Sequence, residues 1–313
     1  MAGEHISVAE ADAGKRLDQV LRRRLPGLSR AAAAEAVATG LVRVNGRRAS
    51  KGQLLCAGDV LEVSLGAQAR GQGPAADPEL ALRVLYEDAW LVLVDKAAGV
   101  PSAALRAGEK GTVASALLAR YPQMAEVGYR PLEPGLLHRL DTDTSGVLLA
   151  ARDAQTFATL RLAHERGEID KTYLALCAGA VRAPQQVQGF LRADQRRVRV
   201  EARSFERSRP IHTELLSARA LGSWSLVQVR VSFAGRHQVR AQLAALGHPI
   251  AADALYDGPP IAGLTRHFLH ASELRLLHPH TQEPLSVRAE LPTELRAVLD
   301  GLGEAGHALL REL

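Results

Sequence analysis

The chain of 313 residues has only two cysteines, Cys56 and Cys177, and neither belongs to a CxxC pair. That excludes a disulfide-built scaffold and fits two buried thiols in a reducing compartment. Aromatic residues make up 4% of the chain and methionines number two, so leucine, valine and alanine must fill the core. There is no apolar run long enough to span a bilayer. The opening residues, MAGEHISVAEADAG, lack the apolar core of a signal peptide. No internal repeat stands out. No HExxH occurs among the eleven histidines, and the cysteines are far apart, so no metal site is expected. These absences leave a cytoplasmic protein that requires no metal or cofactor.

Hydrophobic residues make up 47% of the chain, enough for one large core or two smaller ones. Thirty-nine basic residues face thirty-four acidic ones, for a formal charge of +5. Residues 15–63 alone hold ten basic and four acidic side chains, a balance of +6, so the remainder carries −1. A polyanion footprint is concentrated in that short segment. It reads as two helices and a hairpin. Arg16 opens an amphipathic helix; Ser29 caps a second that ends at Gly40; Leu41–Gly46 alternates and closes on Asn45-Gly46, a strong turn signal. Residues 67–79, rich in Gly, Ala and Pro, read as a flexible linker.

Strand patterns begin after residue 80. Leu82–Tyr86 and Leu91–Asp95 flank an acidic turn, and a helix is expected over Val113–Tyr121. The chain then reaches HRLDTDTSGVLL, His138–Leu149. Here an acid, Asp141, sits between a basic dipeptide and a Thr144-Ser145-Gly146 turn, and Val147–Ala151 reads as a buried strand. A carboxylate held at the mouth of a strand among cations and backbone donors is not placed like a solvated surface acid. Downstream come a helix over Asp153–Arg166, a strand over Lys171–Leu176, a basic stretch over 189–209, strands at Ile211–Leu216 and Trp224–Val231, then Gly235–Arg240, Gly247–Ile250 and Asp253–Tyr256.

HRLDTDTSG resembles the signature of RluA-type pseudouridine synthases, which isomerise uridine in RNA. Lys171–Ala175 resembles that family's KxYxA, and GRHQVR its GRxHQ[IVL]R with one position absent. The GHPI run is also similar, with Ala252 where glycine is usual and Gln242 where histidine is common; Ala97 replaces a proline of KPxG. RLDQVL…SRAAAAEAVATGLVRVNGR resembles an S4 RNA-binding module, giving a RluC/RluD-like arrangement. The resemblance implies an α+β fold: a small S4 domain over 15–66 after a tail over 1–14, the linker, and a catalytic domain over 80–313 built on a mixed, mainly antiparallel sheet. It also implies that Asp141 is the catalytic carboxylate, with Arg240 beside it keeping it ionised and Tyr173 stacking on the target uracil and handling a proton. Candidate substrate contacts are His138, Arg139, Thr144, Arg236 and Gln238. Candidate RNA contacts in the module are Arg16, Ser29, Arg30, Arg43, Asn45, Arg47, Arg48 and Lys51.

The chemistry breaks N1–C1′, turns the base and rejoins it through C5. It needs no redox step, but it does need a carboxylate that attacks the nucleoside or removes a proton. A base inside folded RNA must first be extruded, at a cost of a few kcal/mol that stacking offsets by roughly 1–3. The expected partner is RNA, ribosomal RNA ahead of transfer RNA, for a monomer with no membrane and no obligatory protein partner. Two rival readings stand beside this one. Asp141-Thr-Asp143-Thr-Ser145 is close to the DxDx[TV] of haloacid-dehalogenase-type, Mg²⁺-dependent phosphatases, which need a doubly wound sheet. The other rival is an S4 protein that binds RNA without reacting.

Overall fold

The computed structural model describes residues 4–25, 30–63, 73–194, 196–206, 208 and 210–312. The chain divides into two compact units, one made of residues up to Glu79 with Ala103–Gly135, the other of Leu80–Ser102 with Leu136–Leu313. No helix among the described residues is long and apolar enough to cross a membrane.

In the first unit, residues 4–63 form a layer of two helices on a four-stranded sheet. Strand β1 (Glu4–Ser7) is followed by α1 (Leu17–Arg24), α2 (Arg30–Ala38), β2 (Val42–Val44), β3 (Arg47–Arg48) and β4 (Val60–Val63). The strand order is β1-β4-β2-β3, all antiparallel. Leu17, Val20 and Leu21 recur at helical spacing and are buried with Ala33, Ala36, Val37, Val42, Val44, Leu61 and Val63. Asn45 and Gly46 both adopt positive φ (51° and 76°), as the two central residues of a type I′ turn do. The segment read as a tail thus supplies an edge strand: Ile6 faces Leu61 and packs on this core. One apolar residue in a polar stretch carries little periodic signal, which is why the pairing was not legible.

Further along the first unit, residues 67–72 of the expected linker lie outside the described part, while 73–77 are fastened. Ala75 N–H donates to Glu109 O, Asp77 N–H to Ser115 O, and Asp77 accepts from Gly111 N–H. These bonds lead into α3 (Val113–Arg120), whose start is closed by a reciprocal Thr112–Ser115 capping box.

The second unit is built on one ten-stranded sheet. Its strands are β5 (Arg83–Glu87), β6 (Leu91–Lys96), β7 (Ser145–Ala151), β8 (Asp170–Ala178), β9 (Gln185–Ala193), β10 (Val198–Glu201), β11 (Pro210–Leu221), β12 (Trp224–Val231), β13 (Leu269–Leu277) and β14 (Pro284–Arg288). Helix α4 (Ala154–Glu165) leans on β7; α5 (Gln238–Ala245), α6 (Thr293–Asp300) and α7 (Glu304–Glu312) complete the unit. The order is β10-β9-β11-β12-β8-β13-β7-β6-β5, with β14 on β13. Every pairing is antiparallel except β13 with β7. The expected mixed, mainly antiparallel α+β architecture is therefore present. A doubly wound parallel sheet is not, and the phosphatase reading falls with it.

The β7–β13 pairing spans two residue pairs, His270 with Ser145 and Ala271 with Gly146. At Gly146 (φ 117°) a Cβ would lie 2.2 Å from Ala271 O, so only glycine lets the strands come this close. Side chains supplement the short ladder. Ser145 Oγ bonds His270 Nδ1 (2.9 Å), Thr144 Oγ1 bonds His267 Nε2 (2.8 Å), and Arg266 Nη1 donates to Asp143 O (2.9 Å).

Candidate active site

The turn before β7 places Asp141 in an open cleft of about 350 Å³, lined also by Arg139, Leu140, Thr144, Tyr173, Gly235, His237, Gln238, Arg240 and Leu269. Its side chain keeps 24% of its surface exposed. Arg240, on the first turns of α5, donates Nη1 to Asp141 Oδ2 at 2.8 Å. The other edge of the same guanidinium is held by Asp253, Nε to Oδ2 and Nη2 to Oδ1, both at 2.7 Å. That two-point contact fixes the plane of the guanidinium, so the remaining nitrogen is aimed at Asp141 rather than free to swing. Arg240 also lies over the Tyr256 ring, 5.2 Å from its centroid. Burial works against its charge, but the bonds to Asp253 and Asp141 outweigh it and raise its pKa above the ordinary arginine value.

Tyr173 comes from β8, the strand between β12 and β13, and is buried. Burial first and the Asp141 charge second push its phenol well above the ordinary value. It therefore keeps its proton at neutral pH and presents a neutral ring, which suits a stacking surface. His237 caps α5 from a left-handed conformation (φ 53°). Its Nε2 faces Asp141 Oδ1 at 3.7 Å, and its Nδ1 bonds Tyr256 Oη at 3.1 Å. Burial holds this imidazole below its usual pKa, with the Asp141 charge opposing.

The loop beneath Asp141 is fastened by a buried cation. Lys96 Nζ donates to Ala97 O, Val100 O and Thr142 O at 2.7–2.9 Å, using all three of its protons. Burial pulls its pKa down to about 7, while Asp143 and Asp141 favour the charged form. Ser102 Oγ and Leu140 exchange bonds at 2.8 and 3.0 Å, and Gly99 N–H donates to Thr142 O. Ala97, in the place of a proline, thus lies in a turn already held by its neighbours. Ala252 does need the freedom that glycine gives: its φ is 58°. Gln242 is buried and joins α5 to β9 and β11 through Val187 O and Thr213 Oγ1.

Asp141, Tyr173, Arg240, Arg139 and Thr144 share the cleft as expected, but the other candidate contacts are placed differently. His138 accepts from Leu149 N–H through Nε2 (3.3 Å) and does not line the cleft; burial holds it well below its usual pKa. Gln238 borders the cleft, yet its amide is taken up by Gly235 N–H, His212 O and Thr213 Oγ1. It shapes the wall rather than offering free groups. Arg236 reaches away to Arg196 O on the turn between β9 and β10. Thr144 Oγ1 is bonded to buried His267. Three other histidines bond the protein itself: His248 to Ala178 O, His270 to Ser145 and Ala289 O, and His278 to Asp88.

In the basic module, Arg16, Arg43, Arg47, Arg48 and Lys51 are exposed. Arg48 also bonds Ala38 O, and Arg16 pairs with Asp18. Asn45 is occupied: Nδ2 donates to Asp59 Oδ1 and Oδ1 accepts from Val60 N–H, both at 2.8 Å. It builds the turn instead of projecting to a ligand. Ser29 and the Arg30 side chain lie outside the described residues.

Three residues of this site were missed by sequence reasoning, although all were in stretches it had marked. Asp253 and Tyr256 sit in the run after GHPI, and His237 in GRHQVR; the only available signal was their place within those elements.

Known proteins resemble the chain along nearly its whole length. The RNA pseudouridylate synthase family model matches residues 90–245, and the S4 domain model residues 15–61. Ribosomal large subunit pseudouridine synthase D of Xanthomonas campestris pv. campestris is 30% identical over 95% of this chain and 92% of its own length. An uncharacterized RNA pseudouridine synthase of Chloroflexus aurantiacus is 33% identical over 94% and 92%. Among solved structures, human RNA pseudouridylate synthase domain containing 1 superposes with a TM-score of 0.52 at 25% identity, over 73% of this chain and 95% of that one.

Proposed function

This chain belongs to the RNA pseudouridylate synthase family, and from that premise we propose that it isomerises uridines of the large-subunit ribosomal RNA, with Asp141 as the catalytic carboxylate. The class of reaction is shared with its relatives: it is an isomerase acting on RNA, with an S4 domain that binds RNA. Supporting the RNA target is the full-length similarity to ribosomal large subunit pseudouridine synthase D. The observation that carries the role of Asp141 is its division of labour. Oδ2 is held at 2.8 Å by an arginine that Asp253 fixes in place, while Oδ1 has, among the described residues, only His237 near it, beyond hydrogen-bond distance, in a cleft also lined by Tyr173.

A uridine extruded into this cleft stacks on the Tyr173 ring, and Arg139 stands at the exposed rim to meet a phosphate or fill the vacated stack. Arg240 holds one oxygen of Asp141 by an ion pair in a partly exposed site, which leaves the other oxygen for the ribose or the base. The exposed arginines and Lys51 of the basic module supply sequence-independent attraction for the RNA backbone.

The test is a map of pseudouridines by chemical probing in stable RNA from cells lacking the gene, complemented with the wild type or with Asp141→Asn. The expected result is loss at defined large-subunit positions, restored by wild type alone. Loss confined to transfer RNA moves the target there. Restoration by Asp141→Asn overturns the catalytic assignment, and loss at no position in any stable RNA overturns the target.

A further inference from the structure

We infer that His237 is a second catalytic residue of this site, the base that removes the C5 proton once the base has been rejoined to the sugar. The inference rests on the reading of Asp141 above. Five titratable side chains line the cleft: Arg139, Asp141, Tyr173, His237 and Arg240. The arginines stay protonated and cannot accept a proton. Tyr173 is held in its phenol form by burial and by the Asp141 charge, so a phenolate is not available. Two groups remain. Asp141 has one oxygen tied to Arg240 and the other facing the sugar chemistry. His237 has no role in that step.

The placement of His237 is specific. In the tautomer that carries its proton on Nδ1, the ring donates to Tyr256 Oη at 3.1 Å and the Nε2 lone pair is turned toward Asp141. Tyr256 is itself held by the Val198 N–H, which donates to its Oη at 2.9 Å. The 3.7 Å between Nε2 and Asp141 Oδ1 is too long for a hydrogen bond, so Nε2 is not tied to the carboxylate beside it. The backbone accepts a left-handed, non-glycine residue here to put the ring in that place. A neutral imidazole is also intrinsically more basic than a carboxylate.

The step balances without any added reagent. After the C1′–C5 bond has formed, C5 is tetrahedral and still carries its hydrogen. His237 Nε2 takes that proton. The C5–H electron pair becomes the C5=C6 double bond, and the C6=N1 pair moves onto N1, which takes up a proton. The imidazolium so formed faces the carboxylate of Asp141 and returns its proton to solvent.

The test compares variants on total RNA from cells lacking the gene, grown with uracil either protiated or deuterated at C5. His237→Gly suits the left-handed backbone and opens space for an added imidazole. It is expected to lower kcat roughly 10²–10⁴-fold with KM little changed, to develop a C5 deuterium effect above about 2, and to regain rate with imidazole in the buffer. Tyr256→Phe, which keeps the ring and removes the partner of Nδ1, is expected to show a smaller loss with the same deuterium effect, and it carries the test if His237→Gly does not fold. A kcat within about threefold of wild type, or a loss with no deuterium effect, overturns the inference. Asp141→Asn separates the two readings. If it is dead while His237→Gly is fully active, only this inference fails; if it is active, both fail.

Discussion

Two carboxylates in this molecule meet arginine in opposite ways. Asp12, in the small N-terminal layer, is fully buried and enclosed by three cations: Arg23 at 2.7 Å, Arg24 at 2.7 Å and Lys15 at 3.4 Å. Both of its oxygens are occupied. Asp141 has one arginine, shared with a second carboxylate, and one oxygen left open to the cleft. The first arrangement spends all of the carboxylate's bonding capacity on the fold. The second spends half, and passes the burden of holding the arginine to Asp253, which is buried and does not line the cleft. The carboxylate proposed for catalysis thus differs from the structural one less in having a cation nearby than in how much of it the cation leaves free.

The largest effect that would test this contrast is on Asp141. Asp141→Asn is expected to lower kcat at least about a thousandfold with RNA affinity little changed, read by single-turnover assay and filter binding. Equal loss of affinity would place Asp141 with Asp12 as a structural acid. Asp253→Ala comes next. It leaves Arg240 buried with only Asp141, so a stability loss of about 3–5 kcal/mol is expected by denaturant titration, together with a lower kcat. Unchanged kcat would mean that Arg240 needs no support.

Asp12→Asn should do the reverse: a lower Tm with an unaltered chemical step in single turnover. The wild-type pH dependence has a definite sign. Bonds to Arg24 and Lys15 and the nearby guanidinium charges lower the pKa of Asp12, although burial opposes them. Its stabilisation is therefore full above the ordinary value of 3.8 and is lost as pH falls through the lower folded value. A Tm difference between wild type and variant that persists at the acid end would contradict this. The smallest effect is expected at Asp143, which is exposed and whose backbone carbonyl, not its carboxylate, meets Arg266. Asp143→Asn should keep kcat within about threefold.

Local signals carried much of this into the sequence. Asn45-Gly46, Gly40 and the Leu17–Leu21 spacing announce the first layer because turn chemistry and helical period act within a few residues. The HRLD stretch announces its carboxylate because the polar turn and the buried strand adjoin. Partnerships made by the fold were hidden. Asp253 lies thirteen residues from Arg240, and its place in the run after GHPI does not say that it grips that arginine. Lys96 is followed by two alanines and nothing beside it announces a partner, yet it is almost wholly buried because carbonyls of two separate loops converge on it. Gln238 and Asn45 failed in the other direction: polar residues in functional-looking contexts whose bonds go to the protein. Sequence names the groups that could act, but not which of them are already engaged.

The narrow seam between β7 and β13 has a consequence for how the site could be lost. Most joints in this sheet rest on ladders of backbone bonds, which any residue can make and which tolerate substitution. This one rests on two residue pairs and on individual side chains, Ser145 with His270, Thr144 with His267, and Arg266 with the Asp143 carbonyl. The carboxylate lies on one bank of the seam, Tyr173 on the other. Their alignment is spelled out in particular letters of the sequence instead of the common grammar of the sheet, so a single misspelling at the seam can slide the banks apart while every strand remains intact.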